Sequence, residues 1–134
     1  MSADNDRVPT ILLVEDVEEI RDATEKLLTA DGYRVAPARD EEDAVLRATR
    51  LPPDLLLVNL PGSYTAVLQI ALRIRERVDP TQDIPILIFG AETISEGAEL
   101  EVPGNVHLTR PDNFDQLRGY LRRLLHHSSL PALD

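Results

Sequence analysis

Three short runs in this chain each end in side chains able to do chemistry. Ile11-Leu12-Leu13-Val14 leads into two adjacent carboxylates, Glu15 and Asp16. Leu55-Leu56-Leu57-Val58 ends in Asn59, and Val106-His107-Leu108-Thr109 is followed by Arg110-Pro111. Paired carboxylates can hold a hard divalent cation such as Mg²⁺ through oxygen. A guanidinium binds carboxylate or phosphate oxygens and prefers a bidentate partner. The Asn59 amide can lend a metal its carbonyl oxygen, but it cannot become an acyl phosphate as an aspartate could. A fourth run, Pro85-Ile86-Leu87-Ile88-Phe89, ends in Gly90-Ala91, which adds no reactive group.

These positions share one kind of address. Continuous apolar runs suit strands buried on both faces of a parallel sheet. Helical spacing follows each of them. Ile20, Ala23, Thr24, Leu27 and Leu28 fall on one helix face, and Gly32 stops that helix. Tyr33 to Pro37 reads as a short second strand. Asp40 caps a helix carrying Ala44, Val45 and Ala48, which Pro52-Pro53 breaks. Val67, Leu68, Ala71, Leu72 and Val78 line the next helix. A helix is expected over Glu92–Glu101, weakened by Gly97 at a cost of about 1 kcal/mol. Asp112 caps a last helix carrying Phe114, Leu117, Leu121, Leu124 and Leu125. The expectation is an α/β domain, a doubly wound five-stranded parallel sheet with five helices. Ligands bind such a sheet beyond the carboxyl ends of its strands, where Glu15, Asp16, Asn59, Gly90 and Arg110 stand.

The 134 residues fit one domain. Residues 1–8 read as a polar arm, 9–127 as the domain and 128–134 as a tail. Hydrophobic content of 43% supports a core rather than disorder. There is no cysteine, which excludes disulfides and thiol chemistry. A net charge of −10 opposes nucleic-acid binding, since phosphate backbones repel it. The polar N-terminus is unlike a signal peptide, and no apolar stretch nears the roughly 20 residues that span a bilayer.

From about Thr10 to His126 the chain resembles the receiver domain of response regulators, with the CheY-like, flavodoxin-like fold. Ile11-Leu12-Leu13-Val14-Glu15-Asp16 resembles the first strand with its Mg²⁺-binding acids. Pro53-Asp54-Leu55-Leu56-Leu57-Val58-Asn59-Leu60-Pro61 resembles the third strand, whose terminal aspartate accepts a phosphoryl group from a histidine kinase. The resemblance puts Asn59 at that acceptor position. It puts Gly90 where a switch hydroxyl normally stands, Arg110 where a lysine does and His107 where a switch aromatic does. The loop after Asn59 is about two residues short, with Pro61 two positions on instead of four.

The resemblance implies a cytoplasmic component of two-component or phosphorelay signalling that binds other proteins and is not an enzyme. With Asn59, Gly90 and Arg110 it looks like a degenerate pseudo-receiver, a phosphorylation-independent interaction module. Its expected partner is another signalling protein, bound through the fourth helix, the fifth strand and the last helix, around Leu100, Val102, His107 and Tyr120. A homodimer through the same face is a second arrangement. One alternative is a receiver that senses a small ligand or weakly bound Mg²⁺ through Glu15, Asp16 and Arg110, an ion pair between Arg110 and Asp16 being expected. A flavodoxin-like electron carrier is another, opposed by the lack of a Gly-rich phosphate loop after the first strand. No cofactor is otherwise implied. His107 also reads simply as a partly exposed strand histidine. His126 and His127, with Arg122 and Arg123, suit the dipole at a helix end.

Overall fold

The computed structural model describes residues 8–79, 81, 83–89 and 94–126. Among these the order is β1 (Thr10–Glu15), α1 (Glu18–Ala30), β2 (Arg34–Ala38), α2 (Glu41–Arg50), β3 (Leu55–Asn59) and α3 (Tyr64–Val78). Then follow β4 (Ile86–Phe89), β5 (Glu99–Val102), β6 (Val106–Thr109) and α4 (Phe114–His126). The sheet runs β2-β1-β3-β4-β6-β5, all parallel except that β5 pairs antiparallel with β6.

The apolar runs are buried on both faces because side chains alternate along a strand. Leu12, Val14, Leu56, Val58, Ile86, Ile88, Val106 and Leu108 face one core, filled out by Ala44 and Ala48 of α2 and by Val67, Ala71 and Ile74 of α3. Ile11, Leu13, Leu55, Leu57 and Leu87 face the other, with Leu28 of α1 and Leu117, Tyr120 and Leu121 of α4. Asp54 fixes the start of β3 against β1, its carboxylate accepting from the Thr10 amide at 2.8 Å. Arg118 ties α4 to the end of α1 through two bonds of 2.7 Å to Asp31.

The α/β architecture is the expected one, with differences in detail. Six strands and four helices stand among the described residues, against five and five. Of the helix expected over Glu92–Glu101 the described part is not helical: residues 94–98 are irregular and Glu99–Val102 is β5. Backbone conformation accounts for this. Gly97 has φ +85, outside the helical region, and a Cβ there would meet Asp112 Oδ2 at 2.9 Å. Gly104 and Asn105, at φ +90 and 61, then reverse the chain into the β5–β6 hairpin. Arg75, only 4% exposed, holds that hairpin from α3 by donating to the carbonyls of Gly104 at 2.8 Å and Ile84 at 3.2 Å.

Four helix-face expectations also change. Ile20, Ala23 and Leu27 on α1 and Leu72 on α3 are exposed, because the strands they would cover are already capped by Thr24, Leu28, Ala71 and Ile74. Asn113, not Asp112, caps α4, accepting from the Gln116 amide at 3.0 Å while the Gln116 side chain accepts from the Asp112 amide at 2.9 Å. The expected boundaries at the arm, residues 1–7, and at the tail, with His127, lie outside the described residues.

Candidate functional site

The strand order reverses about β1: β2 lies on one side of it and β3 on the other. A crevice opens at such a switch point, at the carboxyl ends of the flanking strands. Glu15 ends β1 and Asn59 ends β3, and the two are register partners. Both continue the series that faces α1 and α4, so their side chains meet. Asn59 Nδ2 donates to Glu15 Oε1 at 2.6 Å.

Glu15 is 1% exposed. Its second oxygen accepts from the Val17 amide at 3.1 Å, at the entrance to α1. Arg21, one turn into α1, donates to the Glu15 carbonyl at 2.8 Å. Burial pushes the Glu15 carboxyl above its usual range. The Val17 and Asn59 donors pull it back, the Asp16 charge pushes up and Arg21 pulls down. Asp16 itself is exposed.

Arg110 and His107 are not gathered here. Arg110 forms no ion pair with Asp16. Its guanidinium donates to the Ile94 carbonyl at 3.2 Å, and its backbone amide to Ala98 at 3.2 Å. The reason is the hairpin: with β5 beside β6, segment 94–98 lies against Arg110 and offers it carbonyls. Gly90 lies outside the described residues.

His107 is 5% exposed, not partly exposed as a strand histidine would be. β6 is an inner strand once β5 is added outside it, so Tyr120 covers the ring. Nε2 lies 2.9 Å from Asn105 Oδ1 and Nδ1 3.3 Å from the Tyr120 hydroxyl. An Nε2–H tautomer satisfies both: it donates to Asn105 and accepts from Tyr120. Burial lowers the imidazole's affinity for a proton, partly offset by Glu101.

The partner face expected around a fourth helix changes as well. The elements found in that region are β5, β6 and α4, with Leu100 exposed, Val102 half-buried and His107 and Tyr120 buried.

Sequence reasoning missed Arg21 and Thr109. Arg21 is six positions after Glu15, a spacing that becomes a contact only when α1 turns back over β1. Thr109 is fully buried at the end of β6, and its Oγ1 has no hydrogen-bond partner. A small hydroxyl residue closing a short strand was its only signal.

The donor set does not suit Mg²⁺. A metal at Glu15 would have to displace two hydrogen bonds inside the protein, and Asn59 turns its donor, not its carbonyl, toward Glu15. No cluster of three or more acidic or histidine side chains able to hold a metal occurs among the described residues. No helix of the described residues is long and apolar enough to cross a membrane.

No protein-family model matches the chain. Individual proteins do. It is 30% identical over 129 residues to the transcriptional regulatory protein AfsQ1 of Streptomyces coelicolor, covering 95% of this chain and 56% of that protein. It is 32% identical over 120 residues to the phosphate regulon transcriptional regulatory protein PhoB of Pseudomonas aeruginosa, covering 87% and 51%. The chain thus spans about half the length of the curated relatives it matches. Among solved structures, the receiver domain of the hybrid histidine kinase CckA superposes with a TM-score of 0.63 at 22% identity, covering 87% of this chain and 98% of that one. The response regulator TrrA of Thermotoga maritima, in complex with Mg²⁺–BeF, gives 0.65 at 22%, covering 88% and 100%.

Proposed function

We propose that the chain is a response-regulator receiver domain of the CheY-like kind, a signalling module and not an enzyme, and that it works as a phosphorylation-independent protein-interaction module. In this reading residues 9–127 are the receiver unit of a two-component or phosphorelay system. Asn59 stands at the acceptor position, Glu15 and Asp16 form the acidic pair, and Gly90, Arg110 and His107 replace the switch hydroxyl, lysine and aromatic. Its partner is another signalling protein, a histidine kinase or a component downstream of one.

One observation carries the reading: the Asn59 amide at the end of β3 donates to the buried Glu15 carboxylate at 2.6 Å. Phosphoryl transfer to a receiver needs a carboxylate nucleophile, a divalent cation and a positive charge on the transferred oxygens. An amide supplies no nucleophile. Glu15 has both oxygens engaged, and Arg110 is turned to Ile94.

The test is incubation with acetyl phosphate and Mg²⁺, followed by intact mass and peptide mapping. The wild-type chain is expected to stay unmodified. A phosphoryl adduct at any carboxylate would overturn the reading. Asn59→Asp alone is expected to be a poor acceptor, because Arg110 is committed elsewhere. Rapid Mg²⁺-dependent labelling of that variant would mean that the rest of the site is intact.

A further inference from the structure

We propose that the outer edge of β5 accepts an extended, basic segment of a partner protein as an added strand. β5 ends the sheet, and β6 is its one strand neighbour among the described residues. An edge strand presents unpaired backbone groups, which are a template for strand addition. The edge is reachable: Glu99, Leu100 and Glu101 are exposed, Leu100 to 45%.

Side-chain alternation states what would fit. Glu101 stands opposite His107 on the face covered by α4, and Leu100 stands opposite Leu108 on the other. An added strand would set alternate residues beside Glu99 and Glu101, and the intervening ones beside Leu100 and Val102. On the carboxylate side a cavity of about 840 Å³ is lined by Asp83, Glu99 and Glu101, among other residues. Its guanidinium, Arg123, is held by Glu99 at 2.6 Å and lies 4.7 Å over the Tyr120 ring. The surplus there is negative. The fitting segment therefore alternates Lys or Arg with β-branched apolar residues.

The same charges disfavour a second copy of this chain. Two β5 strands edge to edge would set Glu99 and Glu101 of one near those of the other, and like charges across strands are destabilising. The chain's net charge of −10 opposes that approach as well. This inference rests on the interaction reading only in supposing that a partner exists, and it does not involve Asn59.

The probe is a fluorescein-labelled peptide of alternating lysine and valine, titrated into the full chain at physiological salt and followed by anisotropy. A peptide of the same sequence, N-methylated at every second residue, keeps the charge and loses one edge of backbone donors. Saturable binding of the first and loss of binding by the second are expected. Amide exchange should slow at 99–102. Glu101→Lys, an exposed change, should weaken binding about tenfold with an unchanged thermal midpoint. Absence of binding, equal binding of the N-methylated peptide, indifference to Glu101→Lys, or protection confined to another part of the chain would each overturn the proposal. Acetyl phosphate labelling does not involve β5, so failure here and failure of the proposed function are separately visible.

Discussion

Asn59→Asp places a second carboxylate against Glu15 and should destabilise the fold when no divalent cation is present. The wild-type contact is an amide donating to a carboxylate at 2.6 Å. Hydrogen bonds to charged groups contribute about 1.5–3 kcal/mol net, and the substitution removes the donor. Two charges relaxed to about 4 Å apart repel by roughly 4 kcal/mol gross at an effective dielectric of 20. The pair can escape part of that by retaining one proton, so a net loss of about 2–4 kcal/mol is expected near neutral pH. For a domain of this size that corresponds to a melting temperature about 8–15 °C lower. The sign with pH follows from linkage. A carboxyl whose folded pKa is raised contributes stability below its unfolded pKa and loses it as pH rises through the folded value. Glu15 is already raised by burial, and a neighbouring carboxylate raises it further. The deficit should therefore be larger at about pH 8 than at about pH 5.5. Urea denaturation in EDTA at both pH values measures it. Glu15→Gln alone should also destabilise, since glutamine offers one oxygen where Asn59 Nδ2 and the Val17 amide both donate. Combined with Asn59→Asp it should recover much of the loss, because the new amide can donate to the new carboxylate and still accept from Val17. An Asn59→Asp variant as stable as wild type in EDTA, or an unchanged deficit in the Glu15→Gln background, would refute the reasoning.

His107 is held neutral by burial, so the unfolded chain binds a proton there more readily than the folded one. That contribution to stability is present above the unfolded pKa of about 6.5 and is lost as pH falls toward the lower folded value. His107→Phe should flatten this part of the stability–pH curve, which urea titrations across about pH 5.5–7.5 would register. Arg75→Ala should cost about 2–4 kcal/mol, since the carbonyls of Ile84 and Gly104 lose their donor and a cavity opens where the buried side chain stood. Hydrogen exchange should then quicken first around Gly104 and Asn105. Arg118→Lys should cost about 1 kcal/mol, because lysine cannot reproduce the paired bonds to Asp31, and thermal denaturation would show it.

Much of the fold was legible because its signals are local. Leu55-Leu56-Leu57-Val58 is apolar at every position, and only a strand covered on both faces needs that. Asp40 caps α2 as its residue type predicts, accepting from the Asp43 amide at 2.9 Å. The β5–β6 hairpin was not legible. Glu99-Leu100-Glu101-Val102 is too short and too acidic to announce a strand, and it becomes one only by pairing with β6. The expected helix there was already weakened by Gly97, and Gly97 and the turn at Gly104-Asn105 fixed a different path.

The site divides the same way. The sequence by itself determined that Asn59 is an amide, that two carboxylates follow the first strand, and that a doubly wound sheet would bring strand ends together. Those are matters of residue type and periodicity. Tertiary structure decided which groups touch. Register across β1 and β3 joined Asn59 to Glu15, burial pushed Glu15 up, and the hairpin drew Arg110 to Ile94 instead of Asp16. Hydrogen-bond geometry and desolvation act over a few ångströms between residues 44 or 16 positions apart in the chain, and only the folded backbone sets those distances.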